Sequence, residues 1–162
     1  MQRQYEPLID EVAGGVHDGM SRQERMQRVV DAVWRAFGGT AGGVSWVGFY
    51  VPARGGDAMV LGPRRDTPAC SPIGLHGVCG RALRRGTPVV VDDVRALGED
   101  YIACDPADRS ELVVPLLDRS GKPWAVIDLD SRQPGAFGDA DVRGIADVLA
   151  AARLAGPDTP GL

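Results

Sequence analysis

The stretch ELVVPLLDRSGKPWAVIDLDS, residues 111–131, reads as two strands folded back on each other. Both arms are rich in β-branched and apolar residues, and DRSGK (118–122) between them is a hairpin signal. Pro115 marks an edge or bulged position in the first arm, since proline cannot donate to a sheet ladder. In the second arm the alternation is strict. Side chains on a strand point to opposite faces in turn, so Ala125, Ile127 and Leu129 share one face and Asp128 and Asp130 the other, the two aspartates roughly 7 Å apart. Antiparallel pairing also puts the start of one arm beside the end of the next, which makes Glu111 and Asp130 neighbours. Carboxylates on a strand face are costly to bury unless they bind something. Either the strand end frays and they face water, or they hold a ligand's ammonium group, with one of them protonated as a hydrogen-bond donor. The local pattern leaves these readings level.

Outward from the hairpin, the chain alternates helices and short strands. Tyr5, Leu8, Ile9 and Val12 recur at helical spacing up to Gly14-Gly15. Ser21 opens a second helix with Glu24 three residues on, a capping box, and Met26, Val29, Val30, Val33, Trp34 and Phe37 line one face. GVSWVGFYV (43–51) is apolar on both faces and predicts an interior strand; AMVLGP (58–63) returns it. Residues 65–76 read as a long polar loop, 77–86 as a short helix, TPVVVDD (87–93) as a strand, and 94–110 as irregular. A last helix starts near Asp139, with Val142, Ile145, Ala146, Leu149 and Ala152 inward. The pattern predicts an α+β domain over residues 1–155, an antiparallel sheet with helices on one face and pocket-forming loops on the other, and a flexible tail at 156–162.

Composition narrows the function classes. The chain has 162 residues, 44% hydrophobic and 25% charged, with a net charge of −4. That balance offers no broad basic surface for nucleic acid or anionic lipid. The N-terminal segment is polar and helical rather than signal-like, and three cysteines are an odd number for a static disulfide framework. A cytoplasmic home is the expectation.

The cysteines carry the remaining chemistry. Cys79 sits among small residues on the short helix, where a packed thiol is the simplest reading. Cys70 and Cys104 lie in loops and suggest a redox pair on spacing alone; the acids beside Cys104 would raise its pKa. Cys70, His76, Cys79 and Cys104 would make a Cys₃His zinc set, but the spacing is looser than usual for zinc and no bound metal or cofactor is expected. His76 and His17 read as exposed. Trp46 and Tyr50, four apart on one strand, share a face and either pack in the core or wall a small pocket.

Taken in order, SWVGFY (45–50), LGP (61–63), PAC (68–70), GVCG (77–80), VVVDDV (89–94), YIACD (101–105), SELVVPL (110–116) and VIDLDS (126–131) resemble the free methionine-R-sulfoxide reductases, small stand-alone GAF-domain enzymes. The likeness covers about residues 25–152. It implies a GAF-like fold and reduction of free methionine R-sulfoxide. It also implies Cys104 as catalytic cysteine, Cys70 as resolving cysteine, Cys79 as a possible secondary resolver, and Glu111, Asp128 and Asp130 as catalytic and substrate-binding carboxylates. Trp46 and Tyr50 match the aromatic wall of the substrate pocket. A thioredoxin-type reductant and a homodimer are further implications. Two departures stand out: the Cys70–Cys79 stretch is one residue shorter than usual, and Arg109 stands where Asn is common. The alternative from another class is a non-catalytic GAF sensor that binds a small ligand or a metal and signals through a partner.

Overall fold

The computed structural model describes residues 2–39, 43–65 and 68–156. The tail expected at 156–162 lies, from residue 157 on, outside the described residues. A six-stranded antiparallel sheet is built from β1 (Trp46–Pro52), β2 (Ala58–Arg65), β3 (Ile73–Gly74), β4 (Val89–Val91), β5 (Ser110–Leu117) and β6 (Pro123–Ser131), in the order β3-β2-β1-β6-β5-β4. The 111–131 hairpin is therefore central, with β6 paired to β1 and β5 to β4. Pro115 lies beyond the last residue of β5 that pairs with β4, Val113, so there β5 has a neighbour on one side only.

The alternation along β6 separates two cores. Ala125, Ile127 and Leu129 are fully buried against α1 (Glu6–Gly15), α2 (Arg22–Phe37) and α4 (Asp139–Ala151). The opposite face carries Trp46, Tyr50, Val113 and Val126, covered by loops and by one short helix, α3 (Val78–Arg85), through Val78, Cys79 and Ala82. Helices thus dominate one face, and α3 joins the loops on the other. The Ser21–Glu24 capping box is formed in full at the start of α2, satisfying donors that would otherwise be orphaned.

Three local expectations need correction. Residues 94–100 are not irregular: they form 3₁₀ turns broken at Gly98, whose φ of 58° only glycine adopts at little cost. The 65–76 loop contains the two-residue strand β3, which pairs with β2. Along α4 Ile145, Leu149 and, just past its end, Ala152 are buried as expected and Val142 packs against the core, but Ala146 is exposed and Val148 is buried instead, because the helix turns its Gly144 side against Tyr5. Among the described residues no helix is long and apolar enough to cross a membrane.

Leu129 fills the helix-facing core directly between the two aspartates. Leu129→Ala should destabilise the protein by about 2–5 kcal/mol, read as a lower urea midpoint at unchanged slope.

Candidate active site

The register of the hairpin assembles an acidic row. Asp130 lies between Trp46 of β1 and Glu111 of β5, and Asp128 between Gly48 and Val113. Both aspartates face the loop side, and neither is at a frayed end: Asp128 is 7% exposed, Glu111 5%, and Asp130 partly buried. Together with Trp46, Tyr50, Tyr101, Asp108 and Cys104 they line a small cleft. An adjoining lobe reaches Cys79, Val78 and Ile73.

Gly48 makes room for the aromatic wall. A Cβ at this position would lie 2.4 Å from the Trp46 ring. With no side chain there, the indole lies along the strand towards Tyr50, ring centroids 6.0 Å apart. The Tyr50 hydroxyl donates to the Cys70 carbonyl oxygen at 2.8 Å, tying the 68–72 loop over the cleft. Ser71 Oγ accepts from the Leu61 N–H at 3.1 Å and fastens the same loop to β2.

Above the acidic row, Cys70 and Cys104 are joined in a disulfide with Cα atoms 5.5 Å apart, 34 residues apart in sequence. The Cys₃His zinc set is therefore not assembled. Two of its sulfurs are bonded to each other, and His76 is exposed. His17 is exposed as well. Cys79 is buried and free, and its Sγ–H donates to Asp128 Oδ2 at 3.4 Å. It sits in the first turn of α3, where the helix dipole favours a thiolate, but that effect amounts to about 1 kcal/mol. Burial first, and then the Asp128 and Glu111 charges, outweigh it and push the Cys79 thiol well above its ordinary pKa.

The carboxyls are shifted the same way. Burial is the largest cause for each, raising Glu111, Asp128 and Asp130 well above the ordinary carboxylate range. Mutual repulsion adds to it: Asp130 acts on Glu111, Glu111 on Asp128, and Asp128 on Asp130. Asp108, buried and accepting from Ser45 Oγ at 2.9 Å, raises all three further. Arg81 offsets only part of this at Glu111. Among the described residues, Glu111 Oε2 and Asp128 Oδ1 are buried with no hydrogen-bond partner. Such a site can hold a cation, or donate a proton from a neutral carboxyl. By contrast Asp105, next to Cys104, is tied up by the Ala107 N–H and by Arg132 at 3.1 Å, which lower its pKa. Arg109 turns away to pair with Asp93 at 2.8 Å.

Of the residues singled out from sequence, Trp46, Tyr50, Cys104, Glu111, Asp128 and Asp130 line one cleft, Cys79 lines its adjoining lobe, and Cys70 reaches the site through its bond to Cys104. Sequence reasoning missed Gly48, Tyr101, Ile102 and Asp108. Tyr101 stood inside the YIACD motif, and burial beside the acids raises its hydroxyl pKa. Asp108 had no periodic signal, because it lies in a loop.

The GAF domain model matches residues 19–155. A crystal structure described as free methionine-R-sulfoxide reductase from Neisseria meningitidis in complex with its substrate superimposes with a TM-score of 0.81 and 32% identity, covering 91% of this chain and 85% of that one. The chain belongs to the free methionine-R-sulfoxide reductase family of GAF-domain proteins. Curated members include the free methionine-R-sulfoxide reductases of Escherichia coli, 38% identical over 66% of this chain, and of Saccharomyces cerevisiae, 36% identical over 67%. The matches span 63% and 61% of those relatives' lengths.

The raised carboxyls fix the sign of a pH effect. The folded protein keeps the Glu111 proton that the unfolded chain loses near 4.5, so this group destabilises the fold progressively as pH rises from about 4.5 through the raised folded value. Glu111→Gln removes that penalty. It should raise Tm by about 2–4 °C or more at pH 8 and leave it nearly unchanged at pH 4, by calorimetry.

Proposed function

We propose that this protein reduces free methionine R-sulfoxide to methionine with its own cysteines, and that a thioredoxin-type dithiol resets it. What supports the reading is one juxtaposition: Cys104, bonded to Cys70, lines the same cleft as the acids Glu111, Asp128 and Asp130. In the reduced state the Cys104 thiolate attacks the sulfoxide sulfur. A neutral carboxyl of the acidic row gives its proton to the departing oxygen. Methionine leaves, and Cys104 takes the oxygen as a sulfenic acid. The Cys70 thiol then attacks the Cys104 sulfur, water is lost, and the disulfide forms. An external dithiol reduces it by exchange and is itself oxidised.

Each wall of the cleft has a part in this reading. An ionised carboxylate of the row is the counter-ion for the substrate's ammonium group, so a sulfoxide within a peptide, which lacks that group, is a poor substrate. Trp46 and Tyr50 hold the thioether chain. Cys79, buried and protonated beside Asp128, is a poor nucleophile, which leaves Cys70 as the main resolving cysteine.

A thioredoxin-coupled assay should show turnover of free methionine R-sulfoxide and none of the S epimer. Cys104→Ser should abolish turnover and dimedone trapping. Cys70→Ser should release one methionine per enzyme and then stall. Asp128→Asn should lower kcat/KM by about 10²-fold or more. Turnover retained in Cys104→Ser would overturn the mechanism.

A further inference from the structure

The lobe beside α3 holds more than an ammonium site needs. Cys79 Sγ and one carboxylate oxygen each of Glu111 and Asp128 lie within 4.8 Å of one another. The three residues are 4%, 5% and 7% exposed. They come from α3, β5 and β6, so their spacing is held by the packed fold rather than by a loop. Glu111 Oε2 and Asp128 Oδ1 are the buried oxygens that lack partners.

The donor types discriminate among occupants. A thiolate with two carboxylates is too soft for magnesium or calcium, which take all-oxygen sets, and suits a borderline cation such as zinc. Tetrahedral zinc holds sulfur at about 2.3 Å and carboxylate oxygen at about 2.0–2.2 Å, which puts neighbouring ligands about 3.5 Å apart. Cys79 Sγ and Asp128 Oδ2 already stand at 3.4 Å. Three protein ligands leave a fourth position open, and Tyr101, Ile102 and Cys104 line the same lobe.

We propose that Cys79, Glu111 and Asp128 form a binding site for a thiophilic divalent cation of the zinc class, and that the cation competes with the substrate for the same carboxyls. Binding joins Cys79 Sγ and the two carboxylates to the metal, releases to solvent the thiol proton and any proton held by Glu111 or Asp128, and changes no oxidation state. The cation is a competitor and not a cofactor. The competition rests on the function proposed above; the site itself does not.

The disulfide form isolates the site, because Cys79 is then the only free thiol of the three cysteines. Cobalt(II) chloride titrated into that form should give a sulfur-to-cobalt charge-transfer band saturating at one equivalent and bleached by zinc chloride. The band should vanish in Cys79→Ala, and Glu111→Gln should weaken binding at least tenfold. No band, or a band that persists in Cys79→Ala, overturns the site; if Cys79→Ala folds poorly, an unchanged affinity in Glu111→Gln overturns it equally. Competition is read in single turnovers of reduced protein without added thiol. Zinc should raise the methionine R-sulfoxide concentration needed for half-maximal rate, and a chelator should reverse this. A cobalt band with no effect of zinc on turnover overturns the competition. Absence of turnover in metal-free protein overturns the function reading instead and leaves the metal site standing.

Discussion

The register between β5 and β6 is the constraint on which the rest of the site depends. It sets Glu111 opposite Asp130 and Val113 opposite Asp128, while β1 on the other flank brings Trp46 and Gly48 to the same two aspartates. Side chains alternate with period two, so a slip of one residue would drive the aspartates into the helix-facing core and leave Ile127 and Leu129 in the cleft. Ala125, Ile127 and Leu129, fully buried against the three longer helices, hold that register. The hydrophobic effect on one face thereby positions charge on the other.

The charge so positioned is expensive. Three carboxyls share a small cleft with Asp108, and Arg81 at Glu111 and the Cys79 hydrogen bond at Asp128 compensate them only in part. Neutral acids are the resolution that physics favours, and a neutral acid is a proton donor. The same crowding accounts for Cys79: among acids and out of water its thiol stays protonated. Cys104, on the open side of the cleft, has its acidic neighbour Asp105 already engaged by Arg132. Thiols in one site are thus differentiated by surroundings rather than by residue type.

Much of this was legible in the sequence, for physical reasons. The hairpin and the face shared by Asp128 and Asp130 follow from period-two alternation, and the second helix from its capping box and apolar stripe. What local pattern left level was whether the acids were buried; that is decided by the Cys70 loop, α3 and Tyr101, brought over the strands from distant parts of the chain. Asp108 reaches the cleft from a loop, and Gly48 matters only because Trp46 lies across it, so neither had a sequence signal. The 3₁₀ turns at 94–100 were hidden by Gly98, which reads as a breaker although its positive φ only kinks the segment.

The central claim is that burial and mutual repulsion keep at least one carboxyl of the Glu111, Asp128 and Asp130 row protonated where ordinary carboxylates have ionised. A carbon-13 NMR titration of the side-chain carboxyl carbons, assigned by Glu111→Gln, Asp128→Asn and Asp130→Asn, measures this directly. The account predicts that at least one of the three titrates well above the ordinary carboxylate range, and that removing a neighbouring acid moves it back down. Three resonances titrating together in the ordinary range would contradict it.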